Sequence, residues 1–229
     1  MSEQRTYTVE PIQEADTNEV MKLLKKTFYL DEPLNAALGL CTSEADPCPE
    51  LDEYCMGALL EGLSFKAVDA QGKIVGATIS GVCPLKQVVY NFQDENGNDP
   101  LSQAQRCSNS KFQKILYIIA RREEGARLWE RYAQDQRLVE VKVASTDPEW
   151  RRRGVMNELL KHTEKATKQR GIRLLRMDTS SAYSAKSAER QGFTCVYTAN
   201  YKEIKMDGQP LIVPEPPHVY DRVYIKVLP

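Results

Sequence analysis

Two short aliphatic segments flank an amphipathic segment in the second half of the chain. "LVEVKVAST" at 138–146 and "IRLLRMDTS" at 172–180 each have the pattern of a strand, and residues 154–169 carry apolar residues at helical spacing. A strand, a helix and a second strand in so short a stretch predict two parallel strands joined by a right-handed crossover. The fold is therefore predicted to contain a β-α-β unit over residues 138–177.

The remaining segments add strands and helices around this unit. Strands are predicted at 7–13, 193–201 and 218–228, a hairpin at 63–82, helices at 15–30, 49–63, 111–133 and 183–191, and a polar loop at 91–100. Because no linker divides the chain, residues 1–229 are predicted to form one domain. The predicted class is α/β, with a mixed central sheet of about seven strands and helices on both faces.

Composition argues against several classes of protein. The 229 residues carry a net charge of −1, so no general basic field attracts nucleic acid. No run of about 18 apolar residues indicates a membrane span, and the first residues lack the apolar stretch of a signal peptide. Six cysteines without a C-x-x-C pair, and only two histidines, argue against a metal site and favour reduced thiols. We expect a cytoplasmic protein, a monomer by default, without metal, nucleic acid or membrane partners.

Three consecutive arginines precede the helix of the β-α-β unit. Arg151, Arg152 and Arg153 lead into Gly154, where the helix is predicted to begin. The N–H groups of a first helical turn lack intrahelical partners and the helix dipole is positive there, so this is a ready anion site. Gly154 would let a phosphate approach the backbone closely. A solvated basic turn is the alternative explanation of the same spacing.

The segment from 144 to 156 resembles the acetyl-CoA signature of the GNAT acetyltransferase superfamily, R-x-x-G-x-(G/A) after a strand. Here the signature is Arg151-Arg152-Arg153-Gly154-Val155-Met156, in which Met156 replaces the usual small residue. The resemblance implies the GNAT fold, in which the preceding strand splays from its neighbour. It further implies that Ala144, Ser145 and Thr146 hold the pantetheine arm of acetyl-CoA, and that residues 151–156 hold its pyrophosphate.

A second GNAT segment, N-x-x-A-x-x-x-Y-x-x-x-G-F, matches only in part. The chain has "SSAYSAKSAERQGF" at 180–193, so Gly192 and Phe193 match while Ala188 stands at the position of the tyrosine. In the family that tyrosine protonates the leaving thiolate. Another group must therefore supply the proton here.

Three further motifs together resemble the insect arylalkylamine N-acetyltransferases: "DEPLN" at 31–35, "DTSSAYSAK" at 178–186 and "PPHV" at 216–219. The resemblance implies that Glu32 is the general base and that Ser180 and Ser184 take part in proton transfer. It also implies roles for Arg151 and His218, and we expect Asp31, Glu32 and His218 to bind the amine. The implied amines are arylalkylamines such as dopamine, tyramine, serotonin or tryptamine, with acetyl-CoA as cosubstrate.

Each of these residues also has a structural explanation. Asp31-Glu32-Pro33 can end one helix and cap the next, the serines at 180, 181 and 184 can cap the following helix, and His218 can be a hydrogen-bonded structural histidine. Two alternative functions stay open: acetylation of a non-aromatic amine such as a polyamine or agmatine, and a non-catalytic acyl-CoA-binding module. The presence of Glu32 with both Ser180 and Ser184 argues against the second.

Overall fold

The computed structural model describes residues 6–85 and 100–229. Within these ranges the strands are β1 (Tyr7–Pro11), β2 (Phe65–Asp69), β3 (Ile74–Pro84), β4 (Arg137–Thr146), β5 (Leu174–Thr179), β6 (Thr194–Asn200), β7 (Lys205–Met206), β8 (Gln209–Pro210) and β9 (Tyr220–Val227). The α-helices are α1 (Thr17–Lys26), α2 (Phe28–Asp31), α3 (Pro33–Leu38), α4 (Pro49–Met56), α5 (Pro100–Arg106), α6 (Ser110–Ala126), α7 (Leu128–Arg131), α8 (Val155–Gln169) and α9 (Ala182–Arg190). Short 3-10 helices lie at Glu14–Asp16, Pro148–Trp150 and Tyr201–Glu203.

Seven strands form one mixed sheet in the order β1-β2-β3-β4-β5-β9-β6, which confirms the predicted class. All neighbours are antiparallel except β4 and β5, the parallel pair predicted from the β-α-β pattern. The last strand, β9, lies between β5 and β6 and is therefore an interior strand of the sheet.

The parallel pair separates towards its carboxyl end. Pairing of β4 with β5 is limited to three residue pairs and ends at Val141 and Met177. A bulge at Lys142 also interrupts the pairing of β4 with β3, because Val141 pairs with Ser80 whereas Val143 pairs with Ile79. From Lys142 to Thr146 the edge of β4 that faces β5 therefore borders an opening, while Val143 to Thr146 stay paired with β3 on the other edge. This is the splay that the resemblance implied.

Helices cover both faces of the sheet. In β3, Ala77 and Ile79 point into a cluster formed with α1, α4 and α6, while Thr78 between them contacts Thr163 of α8 on the other face. Gly76 permits this close approach of α8, since a Cβ there would lie 2.8 Å from Cγ1 of Val155. The side of α8 that faces the sheet carries fully buried residues such as Leu159, whose truncation to alanine typically costs about 2–5 kcal/mol.

Several elements differ from the sequence prediction. The helix predicted over 49–63 ends at Met56, and the one predicted over 111–133 is interrupted at Arg127, whose backbone is left-handed with φ 47°. The small β7–β8 ribbon and α5 were not predicted, because short elements carry too few residues for a periodic pattern. For α3 the sequence indicated only a possible start, at Asp31-Glu32-Pro33. The loop predicted at 91–100 lies outside the described residues, except for Pro100, which begins α5.

Candidate active site

A cavity of about 1220 Å³ opens where β4 and β5 separate. Its wall includes the first turn of α8, one side of α6, the junction of α2 with α3, and the start of α9. The predicted site residues that line it are Asp31, Glu32, Ala144, Ser145, Thr146, Arg151, Arg152, Gly154, Val155, Met156, Ser180, Ser184 and His218. Arg153 instead lines a smaller neighbouring hollow of about 510 Å³.

The turn between β4 and α8 has the features of an anion site. Gly154 is the N-cap of α8 with φ 81°, and no side chain of the described residues caps the helix there. The N–H groups of the first turn therefore remain available to a bound anion. The hydroxyl of Thr146 is buried and has no hydrogen-bond partner among the described residues, so the splayed strand also offers an unsatisfied polar group. These residues fit a pantetheine arm followed by a pyrophosphate.

The three arginines at this turn have different partners. Nη2 of Arg151 lies 2.6 Å from Oδ2 of Asp31, and its Nε donates to the carbonyl of Thr146 at 3.2 Å. The guanidinium of Arg153 lies 5.4 Å from the ring centroid of Trp150. Arg152 takes a left-handed backbone with φ 62°. Arg151 thus connects the turn to Asp31, and the carboxylate of Asp31 is already paired with a positive charge of the protein.

Glu32 caps a helix with one carboxylate oxygen and contacts Ser180 with the other. Pro33 occupies the first position of α3, and Glu32 is the N-cap whose Oε2 accepts the N–H of Asn35 at 2.7 Å. The other carboxylate oxygen, Oε1, accepts the hydroxyl of Ser180 at 2.5 Å. Burial raises the pKa of Glu32, although hydrogen bonds from Ser180, Asn35 and Leu34 and the charge of Arg122 act in the opposite direction. A raised pKa brings a carboxylate closer to the range of an effective general base.

The three serines at the start of α9 make different contacts. Ser181 is the N-cap and accepts the N–H of Tyr183 at 3.1 Å, which leaves Ser180 free to point at Glu32. Ser184 lines the cavity and donates to the carbonyl of Ser181 at 3.0 Å. The capping role considered from the sequence therefore belongs to Ser181.

His218 contacts the start of α9. Its Nδ1 accepts the N–H of Ala182 at 3.2 Å, and its ring packs edge-on against Tyr183 with centroids 5.5 Å apart. Burial lowers the pKa of His218, which agrees with a neutral ring whose Nδ1 accepts the N–H of Ala182. His218 thus accepts a hydrogen bond from the start of α9 and also borders the cavity.

Part of the cavity wall is aromatic and aliphatic. Phe28, Tyr54 and Phe112 line it with Ile115 and Ile119, and the rings of Tyr54 and Phe112 are 6.5 Å apart in edge-to-face geometry. We call these five residues the aromatic wall. The carboxylates of Glu140 and Asp178 and the ammonium of Lys142 line the same cavity, with Nζ of Lys142 5.5 Å from the ring centroid of Tyr54.

A buried ion pair at the cavity was missed by the sequence prediction. Arg122 of α6 lines the cavity and binds Asp221 of β9, a residue with no exposed surface. A signal was present in the sequence: Arg122 follows Ile115, Ile118 and Ile119 at helical spacing, on the apolar stripe of α6.

The described residues contain neither a membrane-spanning helix nor a cluster of metal-binding side chains. None of their helices is long and apolar enough to cross a bilayer. No group of three or more histidine, cysteine, aspartate or glutamate side chains among them is arranged to hold a metal ion.

Comparison with known proteins defines the class. The model of the acetyltransferase (GNAT) family matches residues 34–193, which is more than half of the chain. With the splayed strand pair and the open start of α8, this match defines an acetyl-CoA-dependent N-acetyltransferase. The chain belongs to the GNAT acetyltransferase family.

Solved structures share the fold over nearly the whole chain. Arylalkylamine N-acetyltransferase 2 from Aedes aegypti superposes with a TM-score of 0.87 at 22% identity, covering 98% of this chain and 100% of that one. A polyamine N-acetyltransferase from Drosophila melanogaster, which forms N-acetylagmatine, gives 0.82 at 23% identity, covering 97% and 100%. The structural neighbours thus include acetyltransferases of both amine classes.

Proposed function

We propose that this protein transfers the acetyl group of acetyl-CoA to the primary amine of an arylalkylamine, of the dopamine, tyramine, serotonin and tryptamine class. Glu32 is the general base, and the amine attacks the thioester directly. The observation that carries the proposal is the Ser180–Glu32 hydrogen bond of 2.5 Å in a cavity that also has an aromatic wall.

The proposed reaction removes two protons from the ammonium nitrogen, of which one reaches sulfur and the other is released to solvent. An alkylammonium has a pKa of about 10, so it must lose a proton before its nitrogen can attack. Glu32 attracts the cation and accepts this proton. When the tetrahedral intermediate collapses, the C–S bond breaks and the thiolate, with a pKa of about 8.5, is protonated. The hydroxyl of Ser180 donates that proton and is reprotonated by Glu32, because the two are already hydrogen-bonded. Glu32, ionised again, then accepts the second proton from the acylated nitrogen and releases it to solvent, which leaves a neutral amide.

Other residues are proposed to hold the cosubstrate and the intermediate. Ala144, Ser145 and Thr146 bind the pantetheine arm, residues 151–156 bind the pyrophosphate, and Ser184 assists proton transfer. Backbone N–H groups near Ser145 stabilise the developing oxyanion, since preorganised donors are most effective where negative charge appears. Asp31 and His218 border the amine.

A dicationic amine, such as agmatine or a polyamine, is the second candidate. The observation that favours it is the presence of Glu140 and Asp178 in the same cavity. Asp178 is bound by Arg176 through two hydrogen bonds of 2.8 Å. Within the described residues Glu140 accepts a weak hydrogen bond from the thiol of Cys83, at 3.4 Å, and interacts with the charge of Arg176 without a hydrogen bond to it. Its carboxylate is therefore the better partner for a second cationic group.

A panel of amines separates these candidates. Thiol release from acetyl-CoA is followed with phenethylamine, tyramine, tryptamine, putrescine and agmatine, using wild-type protein, Glu140→Gln and Glu32→Gln. Arylalkylamine specificity predicts higher kcat/KM for the aromatic amines and little effect of Glu140→Gln. A preference for agmatine or putrescine that Glu140→Gln removes supports the second candidate. Coenzyme A binding without turnover of any amine supports a non-catalytic module.

We further propose a single domain over residues 1–229, a monomer, in the cytoplasm, without nucleic acid or membrane partners. All six cysteines are free thiols, which agrees with a reducing compartment. Size-exclusion chromatography with light scattering measures the oligomeric state directly.

A further inference from the structure

A network of buried charges adjoins the Ser180–Glu32 pair. Nε of Arg122 lies 3.0 and 2.9 Å from the two carboxylate oxygens of Asp221, and Nη2 lies 2.6 Å from Oδ1. Arg122 is 8% exposed and Asp221 is fully buried. This forked contact fixes the orientation of the guanidinium.

Tyr201 connects the ion pair to the base. Its hydroxyl lies 3.3 Å from Oδ1 of Asp221 and 3.2 Å from the carbonyl oxygen of Ser180, so it can donate its proton to either. The side chain of Ser180 in turn donates to Glu32. An unbroken series of contacts therefore leads from α6 and β9 to both groups that are proposed to move protons.

Stability alone does not explain such a network. Removing two charges from water costs several kcal/mol per ion, and replacing a buried ion pair by apolar residues is often neutral or stabilising. The position of Arg122 offers another explanation, because it lines the cavity and its positive charge acts on Glu32.

We propose that Arg122, Asp221 and Tyr201 are positioning residues for acetyl transfer. Tyr201 fixes the Ser180 peptide so that its hydroxyl meets Glu32, and the guanidinium of Arg122, held by Asp221, stabilises the ionised form of Glu32. The proposal rests on the proposed function, specifically on Glu32 as the general base.

Charged and titratable groups reach the neighbourhood of Glu32 from several elements. Arg122 comes from α6 and Tyr201 from the 3-10 helix at 201–203, and the other groups of the cavity wall are Asp31, Tyr54, Glu140, Lys142, Arg151, Arg152, Asp178, Tyr183, Lys186, Arg190 and His218. Burial has the largest effect and raises the pKa of Glu32, and the charge of Arg122 opposes it. Loss of that charge, or of the Ser180 hydrogen bond, should therefore raise the pKa further.

The test compares two conservative tyrosine variants. Tyr201→Phe removes only the hydroxyl that reaches Ser180. Tyr224→Phe is the matched control, since Tyr224 is also fully buried and its hydroxyl donates to Glu189 at 2.7 Å. The dependence of kcat/KM on pH is measured by thiol release for wild type, both variants and Glu32→Gln, with melting curves to confirm folding.

We expect Tyr201→Phe to lower the plateau value of kcat/KM about tenfold, which is the loss typical of removing an outer-shell partner of a metal ligand. The acid limb should move to higher pH by about half a unit. Tyr224→Phe should do neither. An acid limb and a plateau that match wild type in Tyr201→Phe overturn the positioning role of Tyr201. If Glu32→Gln keeps the acid limb, the base assignment itself is wrong, which is a separate failure of the proposed function.

Arg122→Lys separates charge from geometry and provides a second variant. It keeps a positive charge but loses the fork to Asp221. We expect kcat to fall while the acid limb stays near its wild-type position. The double variant Arg122→Gln with Asp221→Asn removes both charges and should raise the acid limb. If Arg122→Lys and the double variant both retain the wild-type kcat and the wild-type acid limb, the proposal is overturned for Arg122 and Asp221.

Discussion

Replacing Ser180 with alanine tests the central contact of the candidate site. The variant removes the hydroxyl that donates to Oε1 of Glu32 at 2.5 Å and leaves the Asn35 N–H on Oε2. A hydrogen bond to a charged group contributes about 1.5–3 kcal/mol, and one pKa unit corresponds to about 1.4 kcal/mol. The pKa of Glu32 should therefore rise by about one to two units. Water from the cavity can replace part of the lost hydrogen bond, so we expect a rise in the pKa of Glu32 of about one unit.

The readout is the acid limb of kcat/KM against pH, followed by thiol release at saturating acetyl-CoA. Since the base must be ionised, a higher pKa of Glu32 moves this limb to higher pH. Ser184→Ala is the matched control, because its hydroxyl donates to the carbonyl of Ser181 and makes no hydrogen bond to Glu32. Both variants should lower kcat if the serines share proton transfer. The reasoning is refuted if Ser180→Ala leaves the limb in its wild-type position, or if Ser184→Ala moves it equally.

Three further outcomes are expected. Gly154→Ala should weaken acetyl-CoA binding in calorimetry more than Gly171→Ala, because both glycines have positive φ and lie at the two ends of α8, but only Gly154 lies at the proposed pyrophosphate site. Glu32→Gln should lower kcat by about 10²–10⁴-fold and remove the acid limb. It should also flatten the pH dependence of stability, because a carboxyl whose folded pKa is raised contributes stability below its ordinary value of 4.5 that is lost as pH rises through the folded pKa. Tyr183→Phe should have a mild effect on kcat, since Tyr183 is 66% exposed; if it is the most damaging of the hydroxyl variants, the phenol is the acid.

The fold was predictable where a pattern is local. The β-α-β unit was readable because β4, α8 and β5 each carry a full period of apolar residues, and a parallel pair needs such a crossover. The insertion of β9 between β5 and β6 was not predictable, because strand order depends on which sheet edges remain unpaired after the rest of the chain has folded. No single segment contains that information.

The candidate site was predictable only in part. "DEPLN" indicated a helix boundary by local rules, and Glu32 is indeed an N-cap. Its contact with Ser180 joins residues 148 positions apart, so local patterns do not reveal it. The resemblance to a known family implied a role for each residue but not their contact.

The buried ion pair could have been predicted from periodicity. Arg122 lies on the apolar stripe of α6, and Asp221 alternates with Val223 and Ile225 on the buried face of β9. A charge at a core position of a helix and an opposite charge at a core position of a strand predict a pair, since unpaired buried charges are too costly. What the pattern does not give is the third member, Tyr201, which reaches the pair from a 3-10 turn.

Ala188 stands where the GNAT motif has a tyrosine, and the Ser180–Glu32 contact is consistent with this replacement. Ala188 is fully buried in the core cluster with Leu175 and Phe193, and its methyl group has no proton to donate. In the proposed mechanism a hydroxyl bonded to the base removes the need for a separate acid, because a proton taken from the amine would reach Ser180 and then sulfur. Two helix starts make this possible. The cap of α3 orients Glu32, and the cap of α9 by Ser181 leaves the hydroxyl of Ser180 pointing towards Glu32. The same local rules that begin these helices therefore set the geometry of the proposed proton transfer.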